Sequence, residues 1–273
     1  MTQQTTLSGE ISLSGVALHS GLQVAARLLP APTDHGIVFS SDGVQIPAQV
    51  DRVVDTQLAT TLGCAGANIR TVEHLLATLM GLGVDNALVE VEGGELPVLD
   101  GCAEAWVRAI RGVGICEQGS LKRVLEIQRP VEFADGERWA RLEPYPGLSL
   151  DVTIDFDHPG VGRQQLALEL SPDSFEAELA WARTFGFERH VPAMRRMGLV
   201  RGGSLENALV FGAEGALNPG GLKQAGEPVR HKMLDAMGDL ALLGSAVRGR
   251  LVAQRPGHGL IIGLVRLVLS PLD

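Results

Sequence analysis

Cysteine is scarce in this chain: Cys64, Cys102 and Cys116 are the only three in 273 residues, and none stands in a CxxC spacing. That argues against a disulfide framework and a thiolate zinc site, and makes a reducing compartment the default. Positive charge is also short. The formal net charge is −9, which argues against a surface built to grip nucleic acid or an anionic membrane, while leaving room for a local basic pocket. Long apolar runs are missing too. The most apolar stretch, residues 260–269, is interrupted by Gly263 and Arg266 and is too short to span a bilayer. Residues 1–15 are rich in Ser, Thr and Gln, with neither a basic start nor an apolar core, so no signal peptide is read there. The expected protein is cytoplasmic and monomeric, with no nucleic-acid partner, no transmembrane segment and at most peripheral membrane contact.

What is present suits two domains of ordinary size. Hydrophobic residues make up 45% of the chain and charged residues only 20%, enough to bury two cores and too few charges for a disordered chain. The two halves echo each other. Residues 26–32 read ARLLPAP and residues 140–146 read ARLEPYP. Each closes an alternating apolar segment, as a strand entering a Pro turn would. Further on, TVEHLLATLMGLG (71–83) and VRHKMLDAMGDLALLG (229–244) both read as helices with a His in the first turn and a Gly stop. In the first of these, Val72, Leu75, Leu76, Leu79 and Leu82 form one stripe. The runs Ala87–Val91 and Arg250–Ala253 read as strands that follow. The second half is longer, so an insertion is expected within 156–215. The expected fold is α+β, with a first domain over 1–119 and a second over 120–273. The boundary is expected at a Gly-rich turn near Gly119–Leu121, after a helix at Ala103–Ile110.

Several residues could carry chemistry. His231 and Asp235 are four apart on the second helix, so both side chains share one face and could offer two ligands to one metal. Alone, such a pair is more often a solvated face. Here Asp239 extends the same face and Arg230 and Lys232 flank it, which suggests a polar cleft beside the core. Glu73 and His74 are adjacent and can enter one cavity from different angles, a ligand beside a base; the ordinary reading is a first-turn Glu on the helix dipole beside a wet His. His258, between Gly257 and Gly259, has a backbone free to push a side chain into a cleft or to stay in an exposed turn. Thr184, in ARTFGF, is either a site hydroxyl or a strand end. Gly202-Gly203-Ser204 lacks a phosphate-loop pattern and reads as a turn. His19, His35, His158 and His190 have no partner at ligand spacing.

Taken together, TVEH (71–74), ARTFGF (182–187), GGS (202–204), VRHKMLDAMGD (229–239) and PGH (256–258) resemble the zinc-dependent UDP-3-O-acyl-N-acetylglucosamine deacetylases of lipid A biosynthesis. GVALHSG (15–21), DNALVEV (85–91) and ELPVLDG (95–101) resemble that family too. The resemblance implies two similar domains, each a sheet packed with a pair of helices, facing one another across the site. It implies an acylated UDP-sugar as substrate and Zn²⁺ as cofactor. It further implies His74, His231 and Asp235 as metal ligands, Glu73 as general base and His258 as the protonated partner. Asp239 would orient His258, and Thr184 would donate a hydrogen bond to the oxyanion. Lys232, Arg255, Phe156 and Phe185 would contact substrate, and Val191, Val200 and Val210 would line an acyl passage. The segment 224–228, Cys102 and the apolar C-terminus depart from the family pattern. Two other functions fit the same residues: a zinc hydrolase acting on a different N-acyl compound, and a non-catalytic binder of acylated nucleotides, which would need no base.

Overall fold

A computed structural model describes residues 2–270. Two sheets form its frame. In the first, the strands run in the order Ile11–Val16, Gln23–Pro30, Ala87–Glu92, Ile37–Ser41, Val44–Pro47. In the second, the central order is Val131–Asp135, Arg138–Glu143, Ala246–Gln254, Leu148–Phe156, Gly162–Glu169, with Val124–Glu126 added alongside Ala246–Gln254. The pairing senses match strand for strand. In each sheet the third strand is antiparallel to the second and parallel to the fourth, and the outer pairs are antiparallel. ARLLPAP and ARLEPYP fall on topologically equivalent strands, Gln23–Pro30 and Arg138–Glu143, each ending at a proline turn. We propose that the two units arose by duplication, with the chain dividing close to residue 119.

Five helices of six residues or more are described: α1 (Glu73–Leu82), α2 (Glu104–Val113), α3 (Val191–Arg196), α4 (Glu227–Leu240) and α5 (His258–Leu269). Helices α1 and α4 pack on each other. Helix α4 also lies against the strands Leu148–Phe156 and Gly162–Glu169, α5 against Val131–Asp135 and Arg138–Glu143, and α2 against Ile11–Val16. Helices α1, α2, α4 and α5 therefore sit between the two sheets, and nearly every face of α1 and α4 is buried. That is why neither carries a clean polar stripe. Glycine stops both segments as expected, Gly83 at φ 77° after α1 and Gly244 at φ 72° after the turn that extends α4.

Two sequence expectations need correction. The predicted turn at Gly119–Leu121 is strand: Ile115–Leu121 pairs antiparallel with Gln3–Leu7. Its residues alternate in exposure, and the pairing depends on a partner more than a hundred residues away in the chain. The inserted segment, expected within 156–215, begins after Glu169, because the hairpin through Phe156 and Gly162–Glu169 belongs to the repeated sheet. After Glu169 the chain departs from the repeat. It forms a parallel pair, Phe185–Phe187 with Leu209–Phe211, connected through α3; the first unit has the three-stranded sheet Val53–Asp55, Thr61–Cys64 and Ala67–Arg70 at the equivalent place. Finally, α4 begins at Glu227, so His231 stands in its second turn. Pro228, which needs no amide donor, fits the first turn that sequence reading had left outside the helix.

Candidate metal and acid–base site

A cleft of about 390 Å³ opens where the two units meet. Its lining includes Glu73 and His74 from α1, Lys232 and Asp235 from α4, His258 from α5, and Thr184 and Phe185 from the inserted pair. Residues far apart in sequence reach it because α1 and α4 approach unusually closely. A Cβ built on Gly238 would lie 2.1 Å from the Glu73 carbonyl oxygen, so only glycine allows this crossing.

His74, His231 and Asp235 bring their ligand atoms within 4.8 Å of one another, and all three residues are buried. The His231 ring is fixed from behind: Nδ1 donates to the Ala182 carbonyl at 3.0 Å, which leaves the Nε2 lone pair facing the cluster. Asp235 Oδ1 lies 3.2 Å from that Nε2 and 3.5 Å from His74 Nε2, yet it is buried without a hydrogen-bond partner among the described residues. A nitrogen lone pair and a carboxylate oxygen repel at such a distance unless positive charge lies between them. Two imidazoles and one carboxylate suit Zn²⁺, with a coordination position left over. The residues present therefore fit a metal ion. The second Asp235 oxygen accepts from Lys232 Nζ, and Lys232 stands 6.0 Å over the Phe185 ring.

The anchor behind His231 is itself held. Arg183, next to Ala182, donates to Glu227 Oε1 at 2.7 Å and Oε2 at 3.0 Å, and Glu227 is fully buried at the start of α4. The ARTFGF segment is thus tied to the helix that carries two of the three cluster residues.

Beside this cluster lies a carboxylate–imidazole pair. Glu73 Oε1 is 3.9 Å from His258 Nε2, and His258 Nδ1 donates to Asp239 Oδ2 at 2.7 Å. Burial raises the Glu73 carboxyl above its ordinary value, partly offset by His258 and His74. Burial also opposes charge on His258, but Asp239, and after it Glu73, outweigh burial and raise the imidazole to about 9. The arrangement can therefore hold an ionised acceptor and a protonated donor side by side near neutral pH. His258 is the first residue of α5 and buried, not a turn histidine.

Other expected residues are placed unevenly. Thr184 and Phe185 line the cleft. Phe156 packs edge-on against Phe185, with ring centroids 5.4 Å apart. Arg255 does not line the cleft: its guanidinium pairs with Asp155 at 2.8 Å and Glu137 at 3.0 Å. The arginine that does line it is Arg138, paired with Asp135 on the Val131–Glu143 hairpin. No motif in the sequence singled out Arg138. Val191, Val200 and Val210 all belong to the inserted segment and are half-buried, but none lines this cleft, whose apolar wall is Leu18, Leu58, Phe185 and Leu260. His158 is engaged elsewhere, accepting from Gly160 N–H and pairing with the Gly212 carbonyl.

Sequence reading also misses Thr60, and it gives no role to Thr71 and Glu95 within the TVEH and ELPVLDG motifs that contain them. Thr60 contacts both Glu73 and Asp239. Glu95 accepts from His19 N–H, Ser20 N–H and the Thr71 hydroxyl, which ties the GVALHSG and ELPVLDG segments to the entrance of α1. Thr71 and Arg255 both have positive φ, 62° and 52°, just before Glu73 and His258. Strained backbone of this kind persists where the surroundings hold it and concentrates at functional sites. A second cluster, Asp100, Cys102 and Glu104, lacks an imidazole, and burial pushes its thiol well up, away from thiolate.

A sandwich of two like α+β units, with an imidazole–imidazole–carboxylate cluster and a buried carboxylate–imidazole pair in the cleft between them, has the donor set of a metal-assisted hydrolase. Comparison with known proteins gives the particular family. The UDP-3-O-acyl N-acetylglycosamine deacetylase family matches residues 4–270, and the chain belongs to it. It is 47% identical over 269 residues to the UDP-3-O-acyl-N-acetylglucosamine deacetylase of Anaeromyxobacter sp. (strain Fw109-5), covering 98% of this chain and 88% of that one. It is 47% identical to the protein of that name from Myxococcus xanthus (strain DK1622), covering 98% and 86%. It is 45% identical to the one from Xanthomonas campestris pv. campestris (strain B100), covering 99% and 91%.

Proposed function

We propose that this protein is a zinc-dependent amide hydrolase that removes the N-acetyl group from UDP-3-O-(3-hydroxyacyl)-N-acetylglucosamine, an early step of lipid A biosynthesis. The observation that carries the reading is the unpartnered Asp235 Oδ1 facing the His231 lone pair, beside Glu73 and His258. Family membership and the names of the relatives supply the substrate class.

His74, His231 and Asp235 would hold the zinc. Bound zinc supplies Lewis acidity and makes water a competent nucleophile at neutral pH. Glu73 then accepts the proton of the attacking water, its carboxylate held by the Thr60 amide and next to the cluster without belonging to it. The water oxygen bonds to the acetyl carbon, and charge builds on the carbonyl oxygen. The Thr184 hydroxyl is the candidate donor to that oxygen. As the C–N bond breaks, His258, kept protonated by Asp239, delivers a proton to the departing nitrogen. The products are acetate and the free amine. Lys232 and Phe185 form the wall nearest the cluster, and Arg138 supplies positive charge toward the diphosphate side. Arg255 and Phe156 are kept as substrate contacts at the margin, and Val191, Val200 and Val210 as walls of an acyl passage in the inserted segment. No described helix is long and apolar enough to cross a membrane; a cytoplasmic monomer is proposed.

The test joins metal analysis of the purified protein to acetate release from the acylated UDP-sugar and from its analogue without the acyl chain. About one zinc per chain and strong preference for the acylated sugar are expected, since each buried methylene is worth about 0.8 kcal/mol. Equal turnover of both sugars would remove the lipid substrate and favour a hydrolase of some other N-acyl compound. Binding without acetate release would favour a non-catalytic binder.

A further inference from the structure

Thr60 precedes the strand Thr61–Cys64 and is fully buried. It touches side chains from opposite units. Its backbone N–H donates to Glu73 Oε2 at 3.0 Å, and its hydroxyl donates to Asp239 Oδ1 at 2.5 Å. The other Asp239 oxygen accepts from His258 Nδ1 at 2.7 Å, and His258 Nε2 stands 3.9 Å from Glu73 Oε1. The four residues therefore close a ring, in which Glu73 and His258 carry the proton transfers, Asp239 holds His258, and Thr60 bridges Asp239 and Glu73. The Thr60 carbonyl also accepts from Val72 N–H at 3.4 Å, where the chain enters α1.

We propose that Thr60 is a positioning residue that sets the separation of the proton acceptor Glu73 from the proton donor His258, acting on the donor through Asp239. A carboxylate held only by His258 could rotate about its own Cβ–Cγ bond and carry the imidazole with it. The Thr60 hydroxyl occupies the second oxygen and removes that freedom. Threonine suits the task because its branched Cβ restricts χ1, so the hydroxyl keeps one direction. The backbone arm to Glu73 does not depend on the side chain. Replacing the hydroxyl therefore releases the Asp239–His258 side while leaving Glu73 held. The inference rests on the acid–base roles proposed above for Glu73 and His258.

Thr60→Val keeps the shape and removes the donor; Thr60→Ser keeps the donor. In the zinc-loaded enzyme, Thr60→Val should lower kcat by about 10–100-fold, the usual cost of losing such a supporting contact. KM and zinc per chain should stay within about twofold of the parent, and Thr60→Ser should recover most of the loss. In an Asp239→Ala background the Thr60→Val change should cost less than about twofold, because the contact it removes is already gone. A kcat for Thr60→Val within about twofold of the parent would overturn the proposal. So would an undiminished cost in the Asp239→Ala background, or a serine variant no better than valine. If valine fails to fold, Thr60→Ala takes the same measurements without adding a methyl against Asp239. Loss of fold or zinc in both, with serine normal, would make Thr60 an ordinary core residue. Near-normal turnover of Glu73→Gln would sink the acid–base reading itself; a strongly impaired Glu73→Gln enzyme with an undiminished Thr60 cost in the Asp239→Ala background sinks only this inference.

Discussion

Asp239 stands one turn beyond Asp235 on the same helix, yet the two carboxylates have different tasks because their neighbours differ. Asp235 has an oxygen with no donor, and Asp239 has both oxygens engaged. The consequence appears in pH dependence. On the proposed mechanism activity needs Glu73 ionised, so the rate should rise as pH climbs through its value, which burial raises above the usual carboxylate range. The same mechanism needs His258 protonated, so the rate should fall as pH climbs through about 9. Since Asp239 is the largest influence raising His258, Asp239→Ala should bring the alkaline limb of kcat/KM to lower pH. A limb that stays near 9 in that variant would break the link between the two residues. Glu73→Gln should lower kcat by roughly 10²–10⁴ with zinc retained, whereas His74→Ala should lose the metal. Zinc analysis alongside turnover separates the two outcomes, and a Glu73→Gln enzyme of near-normal kcat would require a different base.

At the scale of elements, the crossing of α1 and α4 decides whether a site exists. Gly238 lets the backbone of α4 come up against Glu73. Gly238→Ala must push a methyl into a carbonyl oxygen, and overpacking in a filled core costs about 1–3 kcal/mol or more. The variant should melt earlier and bind zinc more weakly, as His74 moves away from His231 and Asp235. Unchanged melting and zinc affinity would show that the crossing tolerates a shift. The helices were legible because glycine stops and spaced apolar residues are local signals. Their closeness was not, since a mid-helix glycine looks the same in sequence whether it faces solvent or another backbone. The start of α4 was misjudged by part of a turn for a similar reason. Glu227 belongs to the helix because its carboxylate is claimed by Arg183, forty-four residues earlier in the chain.

Across the whole molecule, the cluster draws His74 from one unit and His231 with Asp235 from the other, so a metal ion there fastens the halves together. A ligand that binds only the folded chain stabilises it by about 4 kcal/mol at a thousand times its dissociation constant. Chelation should therefore lower the melting temperature, and hydrogen exchange should quicken first in α1 and α4, where they pack on each other. Re-addition of zinc should restore both. A melting temperature indifferent to chelator would mean that the ion, if bound, does not bridge the units. The strand Ile115–Leu121, paired with Gln3–Leu7, ties the end of the first unit back to its beginning and adds a constraint the chelator does not touch.

The amino-acid sequence by itself determined the α+β class, the internal echo, the two histidine-bearing helices and the i, i+4 pairing of His231 with Asp235. These follow from periodicities and stop signals that operate over a few residues. The joining of His74 to that pair at sequence level came only through resemblance. Tertiary structure alone decided which groups became neighbours across the cleft: Thr60 with Asp239, Glu227 with Arg183, Arg138 in place of Arg255 on the cleft wall, and the valines of the inserted segment away from it. Such contacts depend on where two sheets and four helices come to rest against one another. A hydroxyl or a guanidinium carries no mark in the chain of the partner that packing will bring to it.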